Sequence, residues 1–229
     1  MDLPRTLETA FGSRENFHAQ VVSSGLRIVA FNSSFQMLND TDWRPVAELA
    51  KWAGAAGVPH IRVFDGGGQG QGSEPGSRAV IVNRLIEWGE IKQELGLCGD
   101  LIIETHTSLT RVEDCLRLGE ECRRAGVELK LLWDAFHTWK CEGHHMERSW
   151  RQLRPFVRHV HVKDAKLPDY GFVLPGEGDA PMKELIDVLE ADGFEGPVSL
   201  EWEKYWHPHL PPLEAAIDSA IRHGWFPTD

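Results

Sequence analysis

The chain has 229 residues, enough for one domain with a substantial buried core. Its formal net charge of −11 argues against nucleic acid as a partner, because a binder needs a basic face. No apolar run approaches the roughly 20 residues of a membrane span, residues 1–10 lack the apolar segment of a signal peptide, and Cys98, Cys115, Cys122 and Cys141 show no C-x-x-C spacing, so the expectation is one cytoplasmic domain over 1–229 with no membrane partner.

Residues 2–24 read as a helix that ends at Gly25, and 26–32 (LRIVAFN) as the first strand. Polar residues at 39–42 supply an N-cap for a helix over 43–56, which Gly57 stops. The strand 60–65 (HIRVFD) runs into a Gly-rich stretch at 66–76. That stretch is too long for a P-loop and lacks its Lys-Ser/Thr, so it reads as a mobile loop over a barrel mouth. A helix over 77–95 leads to a strand at 101–106, a helix at 108–125 to a strand at 128–134, and a helix at 145–154 to a strand at 157–163. Beyond lie a short strand-like piece near 172–174, a helix at 181–191, a last strand at 197–202 and a final helix at 212–223.

Apolar strands separated by helices read as parallel strands buried on both faces. Four of them end on an acid or a histidine: Glu104, Asp134, His161 and Glu201. The carboxyl ends of strands are where an α/β barrel keeps its chemistry. Three carboxylates and an imidazole gathered at one spot require a cation among them, which points to a divalent metal. Carboxylate-rich ligation with one imidazole suits Mn²⁺, Mg²⁺ or Co²⁺, with Mn²⁺ favoured and Zn²⁺ second choice for want of cysteine ligands. Period-two alternation puts His106 on the face of Glu104, His159 and Lys163 on that of His161, and Ser199 and Glu203 on that of Glu201. Lys163 is placed to hold a substrate oxygen or assist an elimination, or else to pair with Asp164 or Glu203. His207, His209, Asn32, Phe35 and Arg62 are rim candidates, and Trp133, Trp139, Trp202 and Trp206 flank the site positions. His144, His145 and Glu147 resemble a second cluster, although adjacent histidines do not converge easily on one ion.

The strand ends recur about every 30 residues, the length of a βα unit in an eight-fold barrel. Seven strands can be counted, so the fold class is α/β, a TIM (β/α)8-type barrel without its first β-strand. A start upstream of Met1, another segment or a second chain is expected to close that gap, with a homo-oligomer as one form of closure; a barrel left open would be distorted and its activity impaired.

The chain resembles the xylose isomerase-like TIM-barrel superfamily of sugar isomerases and epimerases over residues 25–223. The resemblance rests on Glu104, on Asp134-x-x-His137, on His161-x-Lys163-Asp164, on residues 175–179 (PGEGD), and on 193–196 (GFEG) before 199–203 (SLEWE). It implies that Glu104, Asp134, His161 and Glu201 are metal ligands and that His137 contacts substrate, with Lys163, His106 and Glu203 as further contacts. It also implies a reaction: one of two glutamates, Glu104 or Glu201, removes a proton beside a carbonyl, and the other returns it to the enediolate. The substrate would be a small sugar or polyol-like ketose. An inosose- or dehydroshikimate-type dehydratase begins with the same proton removal and is the first alternative. A non-catalytic sugar-binding barrel is the second.

Overall fold

The protein is seen as a computed structural model that describes residues 3–143 and 146–226. These form two compact units: the chain up to Leu109 together with Glu113–Leu131, and Thr110–Val112 together with the chain from Leu132 onward.

The first unit begins with α1 (Leu3–Phe11) and α2 (Arg14–Ser24), where one unbroken helix was expected. The break is local. Gly12 takes φ 71°, and Ser13 caps α2 by accepting the N–H of Asn16 at 3.2 Å. Strand β1 (Ala30–Gln36) lies four residues later than the expected 26–32. Leu26 is largely exposed, whereas Phe31 and Phe35 are buried, and the Ser33 hydroxyl donates to Arg62 O at 2.8 Å. That bond lets a polar residue continue the strand. Then follow α3 (Arg44–Ala56), β2 (His60–Phe64), α4 (Pro75–Leu95), β3 (Asp100–Glu104) and α5 (Val112–Arg124), most of which belongs to this unit. The order β1-β2-β3 is parallel throughout, with Phe64 level with Glu104.

The Gly-rich stretch is not a loose loop. It contains a 3-10 turn at Gln71–Ser73, and Gly72 is buried so close to Ser108 that a Cβ would stand 2.1 Å from that residue's carbonyl oxygen. Asp65 fastens the neighbouring segment. Its buried carboxylate accepts the N–H groups of Ser108 (2.7 Å) and Leu109 (2.9 Å) and the Thr107 hydroxyl (2.8 Å).

The second unit carries β4 (Leu131–Asp134), α6 (Ala135–Glu142), α7 (Met146–Leu153), β5 (Val157–Val162), β6 (Asp164–Lys166), β7 (Gly171–Val173), α8 (Met182–Ala191), β8 (Val198–Leu200) and α9 (Leu213–Arg222). Its sheet has the order β4-β5-β8, with β5 and β8 parallel. Helix α6 was not anticipated. The piece near 172–174 is no barrel strand either: β7 pairs antiparallel with β6 in a separate ribbon. Trp133, Trp139 and Trp150 are core residues, with Trp133 and Trp150 stacked at 6.1 Å. No helix among the described residues is long and apolar enough to cross a membrane, and Cys98, Cys115, Cys122 and Cys141 form no disulfide with one another.

Asp100, at the start of β3, pairs with Lys92 and Lys130. Burial alone would push its carboxyl up, but bonds from Lys130 and Lys92 outweigh burial and bring it down to about 2. A carboxyl depressed on folding contributes stability that is present above its unfolded value and lost as pH falls through the folded value. Asp100→Asn is therefore expected to flatten the fall in melting temperature between about pH 4 and pH 2. Parallel acid limbs for the two proteins would show that Asp100 does not contribute.

Candidate metal centre

His161 stands near the end of β5, beside β8. The register pairs His161 with Ser199 and Val162 with Leu200, and the Glu201 N–H extends the ladder by donating to Val162 O at 3.0 Å. Glu201 is thereby delivered next to the imidazole, with Oε1 3.4 Å from His161 Nδ1. Behind it, His159 Nε2 lies 2.7 Å from the Ser199 hydroxyl, so the two inward polar residues below the site satisfy each other.

Asp134 ends β4, fully buried, and is the N-cap of α6, its Oδ1 accepting the His137 N–H at 3.3 Å. This cap is the physical content of the D-x-x-H spacing. It fixes His137 in the first turn with Nε2 3.5 Å from Asp134 Oδ2.

Lys163 enters the same space just past β5 and is buried. Its Nζ is 2.9 Å from Asp134 Oδ2 and 2.7 Å from Glu203 Oε1, forms an ion pair with Glu201 Oε2, and lies 3.5 Å from His137 Nε2. Rings of Phe136 and Phe172 wall it at 5.3 and 5.5 Å. Of the two pairings weighed for Lys163, only that with Glu203 forms. Asp164 faces the other way, its carboxylate accepting backbone N–H groups from Ala165 (2.9 Å), Gly176 (2.8 Å), Gly178 (3.0 Å) and Ala180 (3.3 Å). Residues 175–179 are thus a loop folded round a carboxylate. A Cβ on Gly178 would stand 2.0 Å from Asp164 Oδ1.

Burial is the largest influence on Asp134, Glu201 and Lys163. It pushes Asp134 up, with the Lys163 charge pulling the other way. At Glu201 burial is overcome by the His161 hydrogen bond and the Lys163 charge, so the carboxyl lies well below its ordinary value. At Lys163 burial is overcome by Asp134, Glu201 and Glu203, which raise the ammonium above its ordinary value.

Asp134, His161 and Glu201 each offer an atom within 4.8 Å of the others. Donors bound at about 2.1 Å to one ion stand roughly 3 to 4.2 Å apart, a spacing these side chains reach by closing from at most 4.8 Å. Three carboxylates (Asp134, Glu201, Glu203) surround one ammonium, leaving an excess of negative charge for a further cation. Carboxylate oxygen with one imidazole nitrogen is a donor set that such an ion accepts, and the residues present fit it.

Glu104 ends β3 in the first unit, 1% exposed, with Arg62 Nε 2.9 Å from its carboxylate. Arg62 also donates to Ser33 O at 2.9 Å, and its guanidinium lies 4.0 Å from the Phe64 ring centroid. His106 falls beyond the strand in a bend, its N–H donating to Glu104 O at 2.9 Å and its ring 5.1 Å from that of Phe64. Period-two alternation therefore does not govern His106. In the second unit, His207 Nε2 lies 3.6 Å from Glu203 Oε2, and Trp206 is 74% exposed. His144 and His145 lie outside the described residues. The roles of Arg62, Phe136 and Phe172 were missed or underrated. An arginine in the middle of the apolar run HIRVF was the available signal for the first.

The family described as "Xylose isomerase-like TIM barrel" matches residues 3–226, and the chain belongs to it. Its fold is accordingly a TIM barrel. Among solved structures, the chain is similar to the probable 3-DHS dehydratase AsbF of Bacillus anthracis, involved in petrobactin synthesis (22% identity over 87% of this chain and 79% of that one, TM-score 0.71). It is also similar to the 3-keto-D-glucoside 4-epimerase YcjR of E. coli (16%, 96% and 87%, 0.68) and to the IOLI protein with a bound zinc atom (20%, 96% and 82%, 0.68). A sequence relative, the C-glycoside deglycosidase alpha subunit of Microbacterium trichothecenolyticum, is 32% identical over 59 residues. That match spans 26% of this chain and 15% of that protein's length.

Gly178→Ala is expected to cost about 2–4 kcal/mol in urea denaturation, since the added methyl displaces Asp164 from its backbone donors. The exposed neighbour substitution Glu177→Ala should stay within about 0.5 kcal/mol. Equal midpoints for the two variants would contradict the Asp164-centred account of the loop.

Proposed function

We propose that this protein is a divalent-metal-dependent sugar isomerase or epimerase that moves a proton next to a carbonyl through an enediolate. The observation that carries the reading is the convergence of Asp134, His161 and Glu201 at the ends of adjacent strands, around a buried ammonium. Family membership and the likeness to an epimerase support it.

In this reading Glu104, which closes β3 as Asp134 closes β4, is the fourth ligand beside Asp134, His161 and Glu201. Mn²⁺ is the favoured ion, with Mg²⁺, Co²⁺ and Zn²⁺ as competitors. When bound, a divalent ion supplies Lewis acidity for a developing oxyanion. Glu201, held ionised by His161 and Lys163, takes the proton, and Glu104 returns it from the opposite face. Lys163 and His137 hold substrate oxygens, and Glu203 and His106 bound the pocket. The substrate is a small sugar or polyol-like ketose. The reading includes a single cytoplasmic domain and a homo-oligomer.

Dehydration is the second reading, favoured by the likeness to AsbF and by an ammonium placed to steady a departing oxygen. A sugar-binding barrel without activity is the outcome if neither reaction occurs.

Protein incubated with Mn²⁺ and freed of excess should retain about one ion per chain by elemental analysis. Asp134→Asn should weaken binding at least about tenfold. With ketoses in deuterated water, the loaded protein should place solvent deuterium beside the carbonyl without loss of water, and Glu201→Gln should slow this by about 10²–10⁴-fold. Water loss would select the dehydratase, binding without exchange the third reading, and no retained metal would remove the proposal.

A further inference from the structure

We propose that Lys163 is a built-in competitor for the metal, its ammonium occupying carboxylate oxygens that an ion requires and passing to Glu203 when the ion arrives. The inference rests on the metal-dependent reading above. Lys163 Nζ bridges Asp134 Oδ2 at 2.9 Å and Glu201 Oε2, oxygens of two residues in the donor cluster. An ammonium and a divalent ion cannot share those oxygens, because like charges at such separations repel strongly in a buried site. Lys163 must therefore give up Asp134 Oδ2 and Glu201 Oε2 before an ion can take those two atoms.

Its destination is already in contact. Glu203 Oε1 is 2.7 Å from the same ammonium, and Glu203 is outside the donor cluster. The flexible four-carbon stem of lysine permits the shift, and the buried charge is never left without a carboxylate. Phe136 and Phe172, with ring centroids 5.3 Å apart, lie together on one side of the ammonium. Lys163 would then hold the carboxylates in register, lower the affinity for the ion, and face substrate from beside Glu203 once the ion is in place.

The test compares Mn²⁺ binding by calorimetry in the full-length chain and in Lys163→Met, which keeps the bulk and removes the charge. Lys163→Met should bind Mn²⁺ at least about tenfold more tightly and show a wider gap between metal-free and metal-loaded melting temperatures. Lys140→Met removes a cation that lies over Tyr170 and should stay within about twofold. Equal or weaker binding by Lys163→Met would overturn the competitor role while leaving the metal reading intact. Absence of binding in both chains would remove both. If Lys163→Met does not fold, wild-type protein labelled with ¹⁵N-lysine can be titrated with Zn²⁺. One protected ammonium resonance should move in step with occupancy, and a spectrum without such a shift would refute the hand-over.

Discussion

A carboxylate buried at the end of a strand must be answered by a cation or by hydrogen-bond donors, and around the site the answer is a cation. Desolvation alone would drive Asp134 toward its neutral form, and removing one partner from a buried ion pair commonly costs about 3–5 kcal/mol. In the second unit the answer is Lys163, one ammonium shared among Asp134, Glu201 and Glu203. In the first unit it is Arg62, whose planar guanidinium reaches Glu104 and the Ser33 carbonyl together while lying on Phe64. The difference is chemically apt. Arginine's fork locks one geometry, whereas a lysine stem can re-aim its charge.

Consecutive side chains of an extended segment point to opposite sides, and the pair 163–164 exploits this. Lys163 turns into the acidic cluster, while Asp164 turns out to gather the N–H groups of the loop at 176–180. One dipeptide therefore sets both the charge balance of the site and the course of the chain beside it. Glycine at 178 is required because the loop backbone approaches that carboxylate too closely for any side chain.

The strand ends were legible in the sequence because apolar runs closing on Glu104, Asp134, His161 and Glu201 leave few alternatives to parallel strands with polar carboxyl ends. The spacing of Asp134 and His137 was legible too, and its cause is an ordinary helix cap. What could not be read depended on partners distant in sequence. Residues 26–32 carry a strand-like pattern, yet β1 runs on through two serines because the Ser33 hydroxyl finds the carbonyl of Arg62, 29 positions away. The stretch at 66–76 looks like a loose loop until Ser108 is seen against Gly72. Residues 171–173 have strand composition, but composition does not say that their partner is 164–166 in a two-stranded ribbon. His106 was assigned by alternation beyond the point where the strand stops.

The same geometry bears on which reaction the site suits. Elimination of a hydroxyl needs a group that gives up a proton to the departing oxygen, and a good general acid has a pKa near the working pH. Lys163 sits among three carboxylates that raise its ammonium above an already high ordinary value, so in this arrangement it acts as a positive charge. A fixed charge steadies an enediolate oxygen as it develops. Glu201 is held ionised by the His161 hydrogen bond and the Lys163 charge, which also makes it a weaker base than a free carboxylate. Both proposed reactions begin with removal of a proton beside a carbonyl, and a positive charge beside the developing oxygen serves that shared step.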